Sequence, residues 1–149
     1  MSLAMRSSPP AGRSLRAVAA LAAAVALSLP ACSREPAEPC PTDDALIELF
    51  HTHGAELSQL VAQPESEDLR TALKVVRVVR DPDGRTWLWM WHKDFPGPGG
   101  VMKGYLFGKP PSPSLVPSID AVTDPGGPED KELYRHLERD WYLFYRSNN

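Results

Sequence analysis

The sequence predicts an α+β domain in which an N-terminal amphipathic helix packs on a four- to five-stranded, mainly antiparallel sheet. Three observations lead there. Apolar residues recur at helical spacing between positions 46 and 61. β-branched and aromatic runs, punctuated by turn signals, follow from position 72 onward. Eleven of the 12 aromatic residues lie after position 86, which places the core of a sheet late in the chain.

The helix opens at Pro41-Thr42-Asp43-Asp44, where Thr42 can cap and two acids suit the positive end of the helix dipole. Leu46, Phe50, His53, Leu57 and Leu60 then follow at gaps of 4, 3, 4 and 3, with Ile47, Leu49 and Val61 widening the stripe. The helix ends before Pro64, and Gly54 allows a bend inside it. Glu65–Arg70 reads as a loop or a last short turn. Ala72–Arg80 carries four valines and reads as a strand. Asp81-Pro82-Asp83-Gly84 is a turn, and Arg85–His92 returns as the second strand of a hairpin. Phe95–Gly100 forms a loop, and Val101–Phe107 a third strand. Residues 108–128 hold six prolines and read as a long connection. The end of the chain has two readings. Glu129–Arg139 suits a helix by composition. Alternatively Leu133–Leu137 and Trp141–Arg146 form a hairpin, favoured by the strand-forming run WYLFY at 141–145. Its turn at Arg139-Asp140 lacks the Gly or Asn that a tight hairpin prefers.

The first 31 residues differ in kind. Arg6, Arg13 and Arg16 precede an apolar run, AVAALAAAVALSL, at 17–29. A basic segment, a short apolar segment and a small residue at the end mark a secretory signal peptide, residues 1–31. Thirteen helical residues span about 20 Å, less than the roughly 30 Å of a hydrocarbon core, so a permanent membrane span is not expected. Leu29-Pro30-Ala31-Cys32 resembles the lipobox of bacterial lipoprotein precursors. Leu29, Ala31 and Cys32 match that pattern, while Pro30 departs from the usual Ala or Ser. The resemblance implies cleavage between Ala31 and Cys32, diacylglycerol on the Cys32 sulfur, and an acyl chain such as palmitate on the new amine. Several chains together, at about 0.8 kcal/mol per buried CH₂, hold a protein durably. By the same analogy, Ser33 after the Cys favours the outer membrane, facing the periplasm. The layout of helix, KGYLF at 103–107, Pro-rich stretch and closing WYLFY also resembles small bacterial envelope lipoproteins; that likeness implies no ligand or activity.

Cleavage changes the composition. The signal removes three Arg and no acid, taking the net charge from −3 to −6. An acidic chain without a basic run is a poor nucleic-acid binder. It is also repelled by anionic head groups, so the membrane partner is reached through the Cys32 lipid. Residues 32–41, with three Pro and two Glu, read as a lipidated tether, and 42–149 as a single domain. Cys40 falls in the tether as an unpaired thiol, either an exposed bystander or the site of an intermolecular disulfide.

Candidate chemistry is sparse. His51 and His53, two apart on a helix, cannot share a metal as an i, i+4 pair can. His53 reads as a core histidine, while His92 and His136 could approach across the sheet. No metal, cofactor or catalytic motif emerges. Trp87, Trp89 and Trp91 form the most informative pattern, because in a regular strand all three share one face. Leu88 and Met90 make the other face apolar too. Either both faces are covered, the second by the 108–128 loop, or the Trp row is a binding platform for a glycan or protein of the envelope. The expected function is therefore a non-enzymatic, membrane-anchored binding module. The alternative is a small envelope enzyme or ligand sensor with a pocket between helix and sheet, where His53, His92 and His136 are the first residues to inspect.

Overall fold

The computed structural model describes residues 38–95, 99–121 and 130–148, which belong to one compact unit, Ala37–Asn149. The signal segment, the lipobox with Cys32 and the tether up to residue 37 lie outside the described residues. So do the middle of the 95–100 loop and residues 122–129 of the Pro-rich connection.

Among the described residues the chain forms two helices, α1 (Asp43–Ala62) and α2 (Glu67–Ala72), and five strands. The strands are β1 (Arg77–Arg80), β2 (Thr86–Asp94), β3 (Gly100–Phe107), β4 (Lys131–Glu138) and β5 (Trp141–Asn148). They form one sheet in the order β1-β2-β3-β5-β4, with every neighbouring pair antiparallel. This is an α+β fold. The main helix lies at 43–62 rather than at the N-terminus of the chain. No helix among the described residues is long and apolar enough to cross a membrane.

Thr42 caps α1, its hydroxyl accepting from the Ala45 amide at 3.2 Å. The helix buries Leu46, Phe50, Leu57, Leu60 and Val61 against the sheet, as the spacing requires. His53, expected in that stripe, does not join it. Its backbone leaves helical geometry (φ −124°, ψ 24°) beside Gly54, and its ring stands partly exposed 3.6 Å from Glu56. The kink turns that one position out of the core. The Arg80 guanidinium donates to the Val61 carbonyl at 2.7 Å, satisfying the last turn of α1 from the edge of the sheet. The segment Glu65–Arg70, read as a loop or a last short turn, instead supplies most of α2, which runs on to Ala72 and is capped by Ser66. The strand expected over 72–80 is confined to its last four residues, because α2 and its C-terminal turn use the first part.

The Asp81–Gly84 turn forms as expected. Gly84 adopts φ +82°, and Asp81 accepts from the Asp83 and Arg85 amides, both at 3.1 Å. The chain ends in the hairpin β4–β5 rather than a helix. Arg139 occupies its turn at φ +49°. A left-handed conformation costs a non-glycine residue about 1–2 kcal/mol, and glycine brings about 0.5–1 kcal/mol of extra unfolded-state freedom. Arg139→Gly is therefore expected to stabilise by about 0.5 kcal/mol net. The urea midpoint of the variant reports it; an unchanged or lower midpoint would mean the turn carries no strain.

The helix side of the sheet holds the main core. Leu88, Trp91, Val101, Tyr105, Leu143 and Tyr145 meet the α1 stripe there, and the Tyr105 hydroxyl donates to the Leu46 carbonyl at 2.6 Å. A smaller cluster of Trp87, Leu106, Tyr134 and Phe144 occupies the other face, which no helix among the described residues covers. The Pro-rich connection was one of the two possibilities for that face, as its cover. Instead its Ile119 is buried in the helix-side core, while Leu115 makes a parallel bridge with Tyr134 at the outer edge of β4. Among the described residues of the connection, Pro111 reaches the rim of the second face.

Candidate functional site

The Trp row does not share one face. Trp89 pairs with Gly104 and Trp91 with Lys103, so Met90 is an extra residue, a β-bulge in β2. The bulge breaks the two-residue alternation. Trp87 and Trp89 stay on the helix-free face, and Trp91 turns into the main core beside Leu88. Gly104 makes this possible. A Cβ there would lie 2.0 Å from the Leu88 carbonyl oxygen and 2.9 Å from the Met90 nitrogen, so the two backbones could not approach. Gly104, visible within KGYLF, was the sequence signal for the irregularity.

On the helix-free face, Trp87 is nearly closed off, its ring edge-on to Phe144 at 5.0 Å. Trp89 remains half-buried. Arg77, opposite it in register, holds its guanidinium 5.1 Å from the Trp89 ring centre. Trp87 and Trp89, with Val79, Met102 and Pro111, line an open cleft of about 320 Å³. Its polar rim is Asp81 and Arg85 at one side and Glu132 and Arg146 at the other. Arg85 bonds Asp81 at 2.5 Å and Asp83 at 2.6 Å. Burial alone would raise the Asp81 pKa, but hydrogen bonds from Arg85 and Trp87 outweigh it and hold the carboxyl below the usual range. Glu132 accepts from the Tyr134 hydroxyl at 2.5 Å, and burial first, then this bond, pushes the phenol pKa up.

The histidines do not assemble. His92 sits at the end of β2 beside Asp94, and His136 near the end of β4 against Tyr142 and the Arg139 carbonyl. Two strands separate them, and the register offsets them by four residues, so they stand roughly 15–20 Å apart. Among the described residues no group of three His, Cys, Asp or Glu side chains could hold a metal.

The polar cluster lies elsewhere, under the start of α1. Lys103 projects from the middle of β3 with 1% exposure and meets Asp43, itself 2% exposed, at 2.8 Å. Asp43 Oδ1 faces the ammonium without the alignment of a hydrogen bond. Lys103 also donates to Asp120 of the Pro-rich connection. Asp43 Oδ2 accepts from the Ile119 amide at 2.8 Å, Arg135 at 3.0 Å and the Ser118 hydroxyl at 3.3 Å. The Asp43 amide donates to Asp120 at 2.6 Å. Burial pulls the Asp43 pKa up, but the Lys103 ammonium beside it and the bonds from Ile119 and Arg135 outweigh it and hold the carboxyl low. The cluster thereby fastens the connection to the helix and the sheet. Sequence reasoning treated Asp43 as a first-turn helix acid. The available signal was Lys103, which shares strand parity with Val101 and Tyr105 and so had to point inward.

Cys40 borders this cluster. Residues 38–41, assigned to the tether, pack on the domain: the Trp91 indole donates to the Glu38 carbonyl at 2.7 Å, and Cys40 rests against the core. The domain therefore begins at least four residues earlier than expected. Burial pushes the Cys40 thiol pKa up, opposed by Lys103 and reinforced by Asp120 and Asp43. A thiol so placed is a weak nucleophile at neutral pH.

No protein-family model, curated protein or solved structure matches this chain.

Proposed function

We propose that the protein is a membrane-anchored envelope lipoprotein whose domain binds a saccharide on the helix-free face of its sheet. The anchor follows from Leu29-Pro30-Ala31-Cys32, with Cys32 carrying the lipid. The binding role is carried by one observation, the open cleft beside the half-buried Trp89. An aromatic face packs against the C–H side of a sugar ring. Rim groups of both signs, Arg146 and Glu132 above all, suit hydroxyls that both donate and accept. A volume of about 320 Å³ fits a small polar ligand better than a protein epitope. Among the described residues the lining supplies no Ser, Thr, Cys or His. Both rim carboxylates are already engaged, Asp81 by Arg85 and Glu132 by the Tyr134 hydroxyl. Binding without turnover is the reading these groups favour.

Titration with soluble β-1,4-linked N-acetylglucosamine oligomers, followed by tryptophan fluorescence, tests it. The wild-type signal is expected to saturate. Trp89→Ala should stay folded, losing about 1 kcal/mol of stability because the ring is only half-buried, and should lose the response. No saturable change in the wild type, or an unaltered response in Trp89→Ala, would reject the saccharide reading.

A further inference from the structure

We infer that the groove between α1, the end of α2 and the bulged part of β2 docks on the surface of the bilayer that holds the lipid anchor. The inference rests on the lipoprotein reading of Cys32. The groove, about 390 Å³, is lined by Leu46, Leu49, Leu73, Val76, Met90 and Trp91. Val76 on its rim is 50% exposed, one of two large apolar side chains left in water among the described residues. A second, smaller cleft continues from Val76 and Met90 along β2 to Lys93.

The occupant is indicated by where the chain enters. Glu38 lines both clefts, and the Trp91 indole pins its carbonyl there. Cys32 lies six residues upstream, and six residues reach at most about 20 Å. A lipid on Cys32 therefore keeps this part of the domain within that distance of the membrane, whatever path the intervening residues take. At such a separation the effective concentration of bilayer is high, and a patch too small to bind membrane unaided becomes sufficient. The net charge of −6 opposes docking by charge alone, so the contact has to be apolar. Lys74, held on the groove rim at φ +54°, and Lys93 supply local cations for lipid phosphates.

The orientation is measurable with the full-length lipidated protein in phosphatidylcholine vesicles whose acyl chains carry nitroxide quenchers. An environment-sensitive fluorescent amino acid replaces Val76 or, separately, Leu115, both exposed. Leu115 adjoins β4 and Val76 adjoins β1, at opposite edges of the sheet, roughly 20–25 Å apart. The probe at 76 should shift to shorter wavelength and lose most of its emission, while the probe at 115 keeps both. Equal quenching at the two positions, quenching at 115 alone, or none at either overturns the inference. Incorporation of labelled palmitate in the wild type but not in Cys32→Ala is the control. Its absence rejects the lipoprotein reading itself, and the docking inference with it. Labelling without quenching at 76 rejects only the docking.

Discussion

Lys103→Met is expected to destabilise the domain by about 3–5 kcal/mol, because it leaves the Asp43 carboxylate buried without its ammonium partner. The loss should fall on the Pro-rich connection too, since Asp120 loses its ammonium partner and keeps only the Asp43 amide. Urea unfolding measures the effect. Pairing the change with Asp43→Leu should recover much of the loss, because a well-packed apolar pair avoids the stranded charge. A single variant as stable as the wild type would mean the cluster is not buried as described. The same cluster sets an acid dependence. The folded pKa of Asp43 lies below its unfolded value of about 3.9, so the unfolded state binds the proton more readily. Stability from this group is therefore full above pH of about 4 and lost as pH falls through the folded pKa. In Asp43→Asn that part of the acid sensitivity should disappear, as pH-dependent unfolding would report.

Trp91→Ala should cost about 3–5 kcal/mol, the range for emptying a large aromatic site in a packed core. It also removes the indole that holds Glu38, so residues 38–41 should detach and become sensitive to protease. The neighbouring Trp89→Ala should cost far less. In an unbroken strand the two rings would be equivalent, on one face two residues apart; the bulge at Met90 makes them different. Thermal unfolding of the two variants side by side checks this. Equal losses, or a greater loss at Trp89, would contradict the register shift.

Much of the fold was legible because its signals are local. Thr42 and the Leu46–Leu60 spacing mark α1, Asp81–Gly84 marks the first hairpin, and WYLFY marks the last strand. What escaped depends on partners distant in sequence. Nothing near Trp91 announces the bulge, which exists because Gly104 on the adjacent strand lets two backbones close up. Asp43 looks like an ordinary first-turn acid until Arg135, 92 residues away, is brought to it. Residues 38–41 look like tether by their prolines, and only the Trp91 indole shows that they belong to the body. Of the three Trp that could have formed either a two-sided core or a platform, Trp89 is half-buried on the helix-free face, Trp87 is almost enclosed and Trp91 is core.

The short bridge between Leu115 and Tyr134 bears on how the molecule behaves in a crowd. A sheet with two free margins can recruit a fresh strand on each and grow without limit. Here Val116 donates to the Tyr134 carbonyl at 2.7 Å and Tyr134 to the Ser114 carbonyl at 2.9 Å, occupying the middle of the β4 margin. The opposite margin, β1, is four residues long and carries Arg at each end. Copies of this domain at high concentration could meet there at most in pairs, and two like-charged margins repel. The Pro-rich segment thus keeps crowded copies from stacking into fibres.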